Sequence, residues 1–193
     1  MGTETEKLNG YRKERGYDQY FSGEGIDIGC GPWGSLDTNI FKDIKSIKPY
    51  DLEQGDANNC SNVADESFDF VYSSHCLEHM IDPYVAFENW LRICKTNGHM
   101  IHCVPHEIFY EKCNWPSLYN SDHKTSWTLE WKSNMPQTVH TPDFLDHFSD
   151  RMEVISVETI LQNFDFRRFP EDQTLIDAVC QIEFIGMKRC VES

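Results

Sequence analysis

The stretch that decides the fold is Asp27-Ile28-Gly29-Cys30-Gly31-Pro32-Trp33-Gly34. It opens at the end of a short apolar run, which indicates a buried strand that enters a loop. Glycines directly after a strand permit a tight turn and a close approach of the backbone to a ligand. This spacing alone fits a dinucleotide site equally well. Asp27 favours a different ligand, because a carboxylate repels a pyrophosphate but can hold loop amides or a ligand ammonium.

A second carboxylate follows the next predicted strand. Residues 46–50 can form a short strand, and Asp51 stands directly after it. A carboxylate at this point of an α/β sheet can accept hydrogen bonds from both hydroxyls of a ribose. The loop and Asp51 together predict a site for an adenosyl ligand.

The remaining pattern alternates strands and helices and then closes with two strands, which indicates an α/β fold. We expect a Rossmann-like, mostly parallel sheet with an antiparallel C-terminal edge hairpin and helices on both faces. The chain is expected to be one domain, 1–193, with an acceptor-binding loop at about 106–140. The predicted strands are 25–29, 46–50, 68–73, 99–104, 152–161 and 177–188, and the predicted helices are 4–21, 82–95 and 141–148.

The helix 82–95 carries the clearest local signals. Asp82 can cap it and Pro83 suits its first turn. Asn97-Gly98 is predicted to end the helix as a C-cap turn. Its buried side is predicted to consist of Val85, Trp90, Leu91 and Cys94.

Composition excludes several classes of protein. The net charge of −15 argues against a nucleic-acid partner, because phosphates attract basic surfaces. No apolar run approaches the roughly 20 residues that span a bilayer, and the polar N-terminus does not resemble a secretory signal. The eight cysteines include no C-x-x-C pair, so we expect buried free thiols in a cytoplasmic protein.

Several motifs make the chain similar to the class I S-adenosylmethionine-dependent methyltransferases, of the methyltransferase type 11-like kind. The resembling segments are Asp27-Ile28-Gly29-Cys30-Gly31, Asp51, Gly55-Asp56-Ala57, Phe68-Asp69-Phe70-Val71 and the run 91–99. The resemblance implies S-adenosyl-L-methionine as cofactor, with its methionine part on the first motif, its ribose on Asp51 and its adenine near Asp56. The expected cofactor-binding residues are Tyr20, Asp27, Gly29, Cys30, Gly31, Asp51, Leu52, Asp56, Ala57, Ser73 and Ser74.

A narrower likeness concerns the segments SSHCLEHMIDP and YEKCNWPSLYNSDHK. They resemble a small bacterial group often linked to gene clusters for surface polysaccharides and glycans. This likeness implies a small-molecule or glycan-precursor acceptor, with a hydroxyl as the methylated group. It leaves the oligomeric state open, with a homodimer as one option.

The short distance between Asp51 and Asp56 departs from the family pattern, in which a helix and a strand intervene. Either the strand that comes third in the family is absent from this chain, or Asp51 and Asp56 perform within one short segment the roles that a longer segment performs in the family. Asp51 is therefore the stronger candidate ligand.

Candidate bases lie in the loops after the third and fourth predicted strands. Methyl transfer to a hydroxyl benefits from a base, and an imidazole titrates near neutral pH. His75 comes first after its strand, so it is the favoured base; it could instead only contact the cofactor. His106 and His123 are the alternative bases, while His79 is expected to be structural.

The loop 106–140 combines aromatic and polar side chains, as recognition of a sugar would require. Its interior could equally be held together by its own side chains. The residues expected to bind the acceptor are Glu107, Tyr110, Trp115, Asn120, His123 and Lys124. His106, Glu107, Asp122 and His123 are suitable ligand types for a metal, but no spacing is diagnostic and no metal is predicted.

Two other functions fit the glycine loop. A nicotinamide-dependent oxidoreductase would need a substrate domain, for which the chain leaves little room. The other possibility is a non-catalytic adenosyl-ligand-binding or scaffold protein, in which the cofactor fold survives as a scaffold for a partner. The intact loop and Asp51 argue against it.

Overall fold

The computed structural model describes residues 4–34 and 36–190, apart from the side chains of Glu4 and Trp33. Its helices and strands are α1 (Glu4–Glu14), β1 (Gly23–Ile28), β2 (Ile44–Tyr50), β3 (Phe68–Ser74), α2 (Pro83–Ile93), β4 (Cys94–Pro105), β5 (Ser126–Thr128), β6 (Thr138–His140), α3 (Thr141–His147), β7 (Met152–Ile160) and β8 (Gln181–Lys188).

Six strands form the central sheet in the order β2-β1-β3-β4-β8-β7. Strands β1 to β4 run parallel, and β8 is antiparallel to both of its neighbours. The predicted Rossmann-like sheet with an antiparallel terminal pair is thus confirmed. Strands β5 and β6 pair with each other in a small second sheet.

Both faces of the sheet are covered, as predicted. On one face, Phe87 and Trp90 of α2 pack with residues of α3 and with alternate residues of the strands. On the other face, Arg12 of α1 is fully buried and forms an ion pair with Glu183 of β8. Arg12 also donates a 2.9 Å hydrogen bond to the hydroxyl of Tyr72.

The first two helices are shorter than predicted. Helix α1 ends at Glu14, because Gly16 adopts a left-handed φ of 72° before a 3-10 turn at Tyr17–Tyr20. Asp82 caps α2, as expected, by accepting from the amides of Tyr84 and Val85.

The predicted inner face of α2 is wrong at two positions. Val85 is exposed, and Cys94 already belongs to β4. The apolar residues of the helix that are buried are Ala86, Phe87, Trp90, Leu91 and Ile93, together with Pro83.

The predicted C-cap at Asn97-Gly98 is also wrong. The chain passes directly from α2 into β4, because β4 begins at Cys94 rather than at residue 99. Asn97 does adopt a positive φ of 64°, but within this strand. The last strand begins at Gln181, later than the predicted residue 177.

The spacing of Asp51 and Asp56 has a topological cause. Residues 51–67 form turns between β2 and β3, so the strand that would extend the sheet beyond β2 is missing. Strand β2 is therefore an edge strand, and the turn after Asp51 folds back toward the ends of the strands.

The structure bears on two expectations from composition, the state of the cysteines and the membrane-spanning segments. All eight cysteines are free thiols; six are buried, whereas Cys113 and Cys190 are exposed. Among the helices of the described residues, none combines the length and the hydropathy that crossing a bilayer requires.

Candidate functional site

The carboxyl ends of three parallel strands meet at one edge of the sheet. Ile28 is in register with Tyr50 of β2 and with Ser73 of β3. The residues that follow these strands therefore surround one cavity of about 320 Å³. It is lined by Gly29, Asp51, Leu52, Gly55, Asp56, Ala57, Asn58, His75, Cys76, His79, Met80 and Asp122.

Gly29 lies where only glycine fits. Its φ is 75°, and a Cβ atom at this position would lie 2.5 Å from the Sγ of Cys76. Its amide donates a 2.8 Å hydrogen bond to the carbonyl of Tyr50, which fixes the turn. The backbone is thus directly exposed to the cavity, as the glycine loop predicts.

Asp51 joins the loop after β1 to the turn after β2. Its Oδ2 accepts from the amide of Gly31 at 2.8 Å, and its Oδ1 accepts from the amide of Leu52 at 2.7 Å. A carboxylate oxygen has two lone pairs, so each oxygen can accept one further hydrogen bond. Asp51 can therefore hold the loop and bind ligand hydroxyls at the same time.

A second cavity of about 440 Å³ adjoins the first, and Asp51 and Leu52 line both. Cys30 and Gly31 lie on its wall, and the side chain of Leu52 is 90% exposed. An apolar side chain exposed at a cleft offers a surface on which a flat ring can pack.

Asp56 and Ala57 also line the first cavity, so the turn after Asp51 does bring them to the site. Oδ1 of Asp56 accepts from the side chain and the amide of Asn58, and these bonds lower the pKa of Asp56. The carbonyl of Ala57 accepts from Nε1 of Trp90, which anchors the turn on α2.

Four predicted cofactor residues line neither of these two cavities. Asp27 is buried and lines a neighbouring hollow beside Gly31. Ser73 hydrogen-bonds to Nδ1 of His102, and Ser74 to the hydroxyl of Thr5, so both point into the core. The ring of Tyr20 packs against those of Tyr17 and His99.

His75 is the predicted base that the structure brings to the cavity. Its φ is 53°, which turns its side chain to the cavity wall directly after β3. Nε2 of the ring lies 2.7 Å from Oε1 of Gln181, and Nδ1 lies 3.5 Å from Oε1 of Glu78. One imidazole is thus placed between an amide and a carboxylate.

His106 is placed elsewhere. Strand β4 continues two residues beyond its pairing with β3, which carries His106 away from the cavity. Its Nδ1 accepts from the amide of Ile108, and its Nε2 contacts Glu130 at 3.1 Å. Burial lowers the pKa of His106. Because His106 does not line the cavity, whereas His75 does, the geometry favours His75 over His106 as the candidate base.

A cluster around Glu78 adjoins His75. Oε1 of Glu78 lies 3.9 Å from Nε2 of His79 and 3.8 Å from Nε2 of His123. Burial raises the pKa of Glu78, but the surrounding imidazoles outweigh it, so the pKa lies below its usual value. His123, an alternative base, thus lies behind His79 rather than on the cavity wall.

The loop 106–140 is partly held together by its own side chains. Glu107 accepts from the hydroxyls of Ser133 and Thr138. Asn120 accepts from the amide of Asp122. Trp115 is half-buried, and no described contact joins it to the cavity.

Tyr110 and Lys124 lie nearer to the site. The ring of Tyr110 lies 5.5 Å from that of His75. The side-chain ammonium of Lys124 donates a hydrogen bond to Asp122, and its backbone amide donates one to the carbonyl of Glu78. The second bond ties the loop to the turn after β3.

Sequence reasoning missed Glu78 as a residue of the site and considered Asp122 only as a suitable ligand type for a metal. The signal for Glu78 was its place between His75 and His79, in a segment of five positions that contains four titratable side chains when Cys76 is included. Asp122 is adjacent to His123 in sequence, but only the fold shows that it reaches the cavity.

Comparison with known proteins agrees with this geometry. Residues 35–102 match the sequence profile of a methyltransferase domain. This match supports S-adenosylmethionine as the cofactor and methyl transfer as the reaction class. No curated protein sequence matches the chain.

Solved structures show the same fold. A proposed S-adenosylmethionine-dependent methyltransferase from Listeria monocytogenes has a TM-score of 0.56 at 14% identity, with 94% of this chain and 97% of that chain covered. A proposed methyltransferase from Bacillus halodurans has a TM-score of 0.51 at 15% identity, with 86% and 90% covered. A structure of the Haloferax volcanii Trm112 methyltransferase activator with a proposed methyltransferase has a TM-score of 0.56 at 15% identity, with 98% and 100% covered.

Proposed function

We propose that this protein transfers a methyl group from S-adenosylmethionine to a hydroxyl of a small polar acceptor, in the class of sugars and glycan precursors. The observation that carries the proposal is the position of Asp51, which faces the cleft while it binds the glycine loop. The acceptor class rests on the sequence resemblance and on the polar side chains of His75, His79 and Asp122 that line the cavity.

The residues present fit the cofactor. Gly29 leaves space that a Cβ would fill, and Asp51 has lone pairs available for two ribose hydroxyls. Leu52 offers an apolar surface to the adenine, and Asp56 an ionised acceptor for its amino group. Cys30 and Gly31 would line the same cleft.

When bound, S-adenosylmethionine supplies an electrophilic methyl group on a sulfonium. The chain aligns the acceptor with this methyl group, and such alignment alone supplies roughly 7–11 kcal/mol of barrier reduction. The acid-rich wall also suits a cationic ligand.

His75 acts as the base in this proposal. Its ring lines the cavity, and an acceptor hydroxyl can take the place of the Gln181 amide at Nε2. Glu78, 3.5 Å from Nδ1, stabilises the ring once it carries the acceptor proton. Tyr110 and Lys124 complete the acceptor side.

An acceptor screen tests the function. The protein is incubated with S-adenosylmethionine and a panel of monosaccharides, nucleotide sugars and glycan precursors, and S-adenosylhomocysteine is measured by mass spectrometry. We expect product with at least one hydroxyl acceptor and a mass increase of one methyl group on it. Methylation of amines alone would contradict the acceptor class, and NAD binding without binding of S-adenosylhomocysteine would support the oxidoreductase instead.

A further inference from the structure

The cluster around Glu78 contains two imidazoles and one carboxylate that converge on one point. The donor atoms of Glu78, His79 and His123 lie within 4.8 Å of one another. Glu78 and His123 are buried, while His79 is partly exposed and lines the first cavity. The cluster therefore opens toward the proposed methyl-transfer site.

Carboxylates behind the two imidazoles determine which ring nitrogens carry protons. Nδ1 of His123 lies 2.5 Å from Oε1 of Glu111, and Nδ1 of His79 lies 3.2 Å from Oδ2 of Asp122. A carboxylate only accepts hydrogen bonds, so both Nδ1 atoms donate. In the neutral rings, both Nε2 atoms therefore carry lone pairs.

Those lone pairs face a buried negative charge. Glu78 is fully buried; Nδ1 of His75 lies 3.5 Å from its Oε1, at the outer limit of a hydrogen bond, and no shorter hydrogen bond reaches either carboxylate oxygen among the described residues. Lone pairs that converge on an ionised carboxylate repel each other unless a positive species lies between them. The separations of 3.8 and 3.9 Å between nitrogen and oxygen are too long for hydrogen bonds.

The same separations are close to those between ligands of one metal ion. Ligands at 2.0–2.1 Å around a tetrahedral cation lie about 3.3 Å apart. Small side-chain movements close the difference. A carboxylate that fixes the far nitrogen of a ligating imidazole is also a recurrent feature of metal sites.

We propose that Glu78, His79 and His123 bind one divalent transition-metal cation, for which Zn²⁺ is the best match to two imidazoles and a carboxylate. Glu111 and Asp122 act as positioning residues that orient the imidazoles. His106 and Glu107, which sequence reasoning considered as ligand types, lie outside the cluster and serve other contacts.

The role of the metal rests on the proposed function. A cation held by these three side chains beside the cavity would act as a Lewis acid toward the acceptor oxygen and would lower the pKa of its hydroxyl. His75 takes the proton, the oxygen forms a bond to the methyl carbon, and the bond between carbon and sulfur breaks. Its electron pair stays on sulfur, which leaves neutral S-adenosylhomocysteine.

Zinc binding by the full chain tests the site. After treatment with a chelator and dialysis, the protein is titrated with Zn²⁺ against a competing indicator. We expect one equivalent to bind, and we expect affinity to fall at least 100-fold in Glu78→Gln, His79→Ala and His123→Ala. Glu111→Gln should weaken binding by roughly 10- to 100-fold, as is usual when a carboxylate that hydrogen-bonds to a metal-ligating histidine is removed. His147→Ala removes an exposed imidazole outside the cluster and should leave affinity unchanged.

Spectroscopy on the unaltered protein keeps the test valid if a variant fails to fold. X-ray absorption at the zinc edge should show two imidazole nitrogens and carboxylate oxygen at about 2.0–2.1 Å. Absence of stoichiometric binding, or equal affinity in all variants, would overturn the proposal and leave a protonated histidine as the partner of Glu78. A parallel titration with S-adenosylhomocysteine tests the proposed function separately. If S-adenosylhomocysteine binds and zinc does not, the metal proposal fails while the proposed function stands.

Discussion

The amide of Gly31 donates a 2.8 Å hydrogen bond to Oδ2 of Asp51, so the residue proposed to bind the ribose also holds the glycine loop in place. The two predicted halves of the cofactor site are thus physically joined. Loss of this carboxylate removes ligand contacts and releases the loop at the same time.

We expect Asp51→Ala to weaken binding of S-adenosylhomocysteine by at least about tenfold, because each charge-assisted hydrogen bond contributes about 1.5–3 kcal/mol. Isothermal titration calorimetry measures the change. Asp43→Ala, which removes an exposed acid remote from the cleft, is the matched control. Equal affinity in both variants would place the ribose elsewhere.

His75→Asn should lower methyl transfer by about 10²- to 10⁴-fold while affinity for S-adenosylhomocysteine stays within a few fold. Asparagine tolerates the positive φ at this position, so the change tests the base rather than the backbone. The measurement is turnover with an acceptor found in the screen. Normal turnover would show that His75 is not the base.

Gly29→Ala should destabilise the fold by roughly 1–3 kcal/mol, because it combines a positive φ with a contact of 2.5 Å to Cys76. Gly10→Ala is the contrasting variant. It lies in α1 with open space around it and should stabilise the protein by about 0.5–1 kcal/mol. Urea denaturation measures both values, and a neutral Gly29→Ala would mean that the loop can relax.

Arg12→Met should reduce the free energy of unfolding by about 3–5 kcal/mol, because it leaves Glu183 charged and buried. The double variant with Glu183→Gln should recover a large part of this loss. Denaturation curves of the two single variants and the double variant test the coupling. Additive losses would show that the ion pair does not stabilise the fold.

Stability should fall with decreasing pH through His102. Burial lowers the pKa of this imidazole to about 3. The unfolded chain binds the proton below about pH 6.5, whereas the folded chain does not, so acid favours unfolding. Between about pH 6 and 5, the slope should exceed that of His102→Phe by up to about 1.4 kcal/mol per pH unit. Equal slopes in urea denaturation would show that His102 is protonated in the fold.

Local patterns predicted the sheet and the glycine loop at its edge because the relevant signals lie within a few residues. The run into Gly29, the cap at Asp82 and the apolar strands are all readable from neighbours in sequence. The inner face of α2 was misjudged because helical spacing does not determine which side faces the sheet, and Val85 lies outward.

The acceptor side was less predictable because it depends on tertiary contacts. His75 reaches the cavity because it comes directly after β3, whereas β4 continues past its last pairing with β3 and carries His106 away from the cavity. The association of His123 with Glu78 depends on a loop that returns to the turn after β3 through the amides of Lys124 and Thr125. No periodicity in the sequence encodes that return.

A crystal structure of the protein with S-adenosylhomocysteine tests the central claim most directly. We predict that the ribose hydroxyls lie within hydrogen-bond distance of Asp51, with the homocysteine along the loop at Gly29 and the sulfur facing His75. Ligand bound away from this cleft, or no bound ligand at saturating concentration, would contradict the assignment of the cleft as the methyl-donor site.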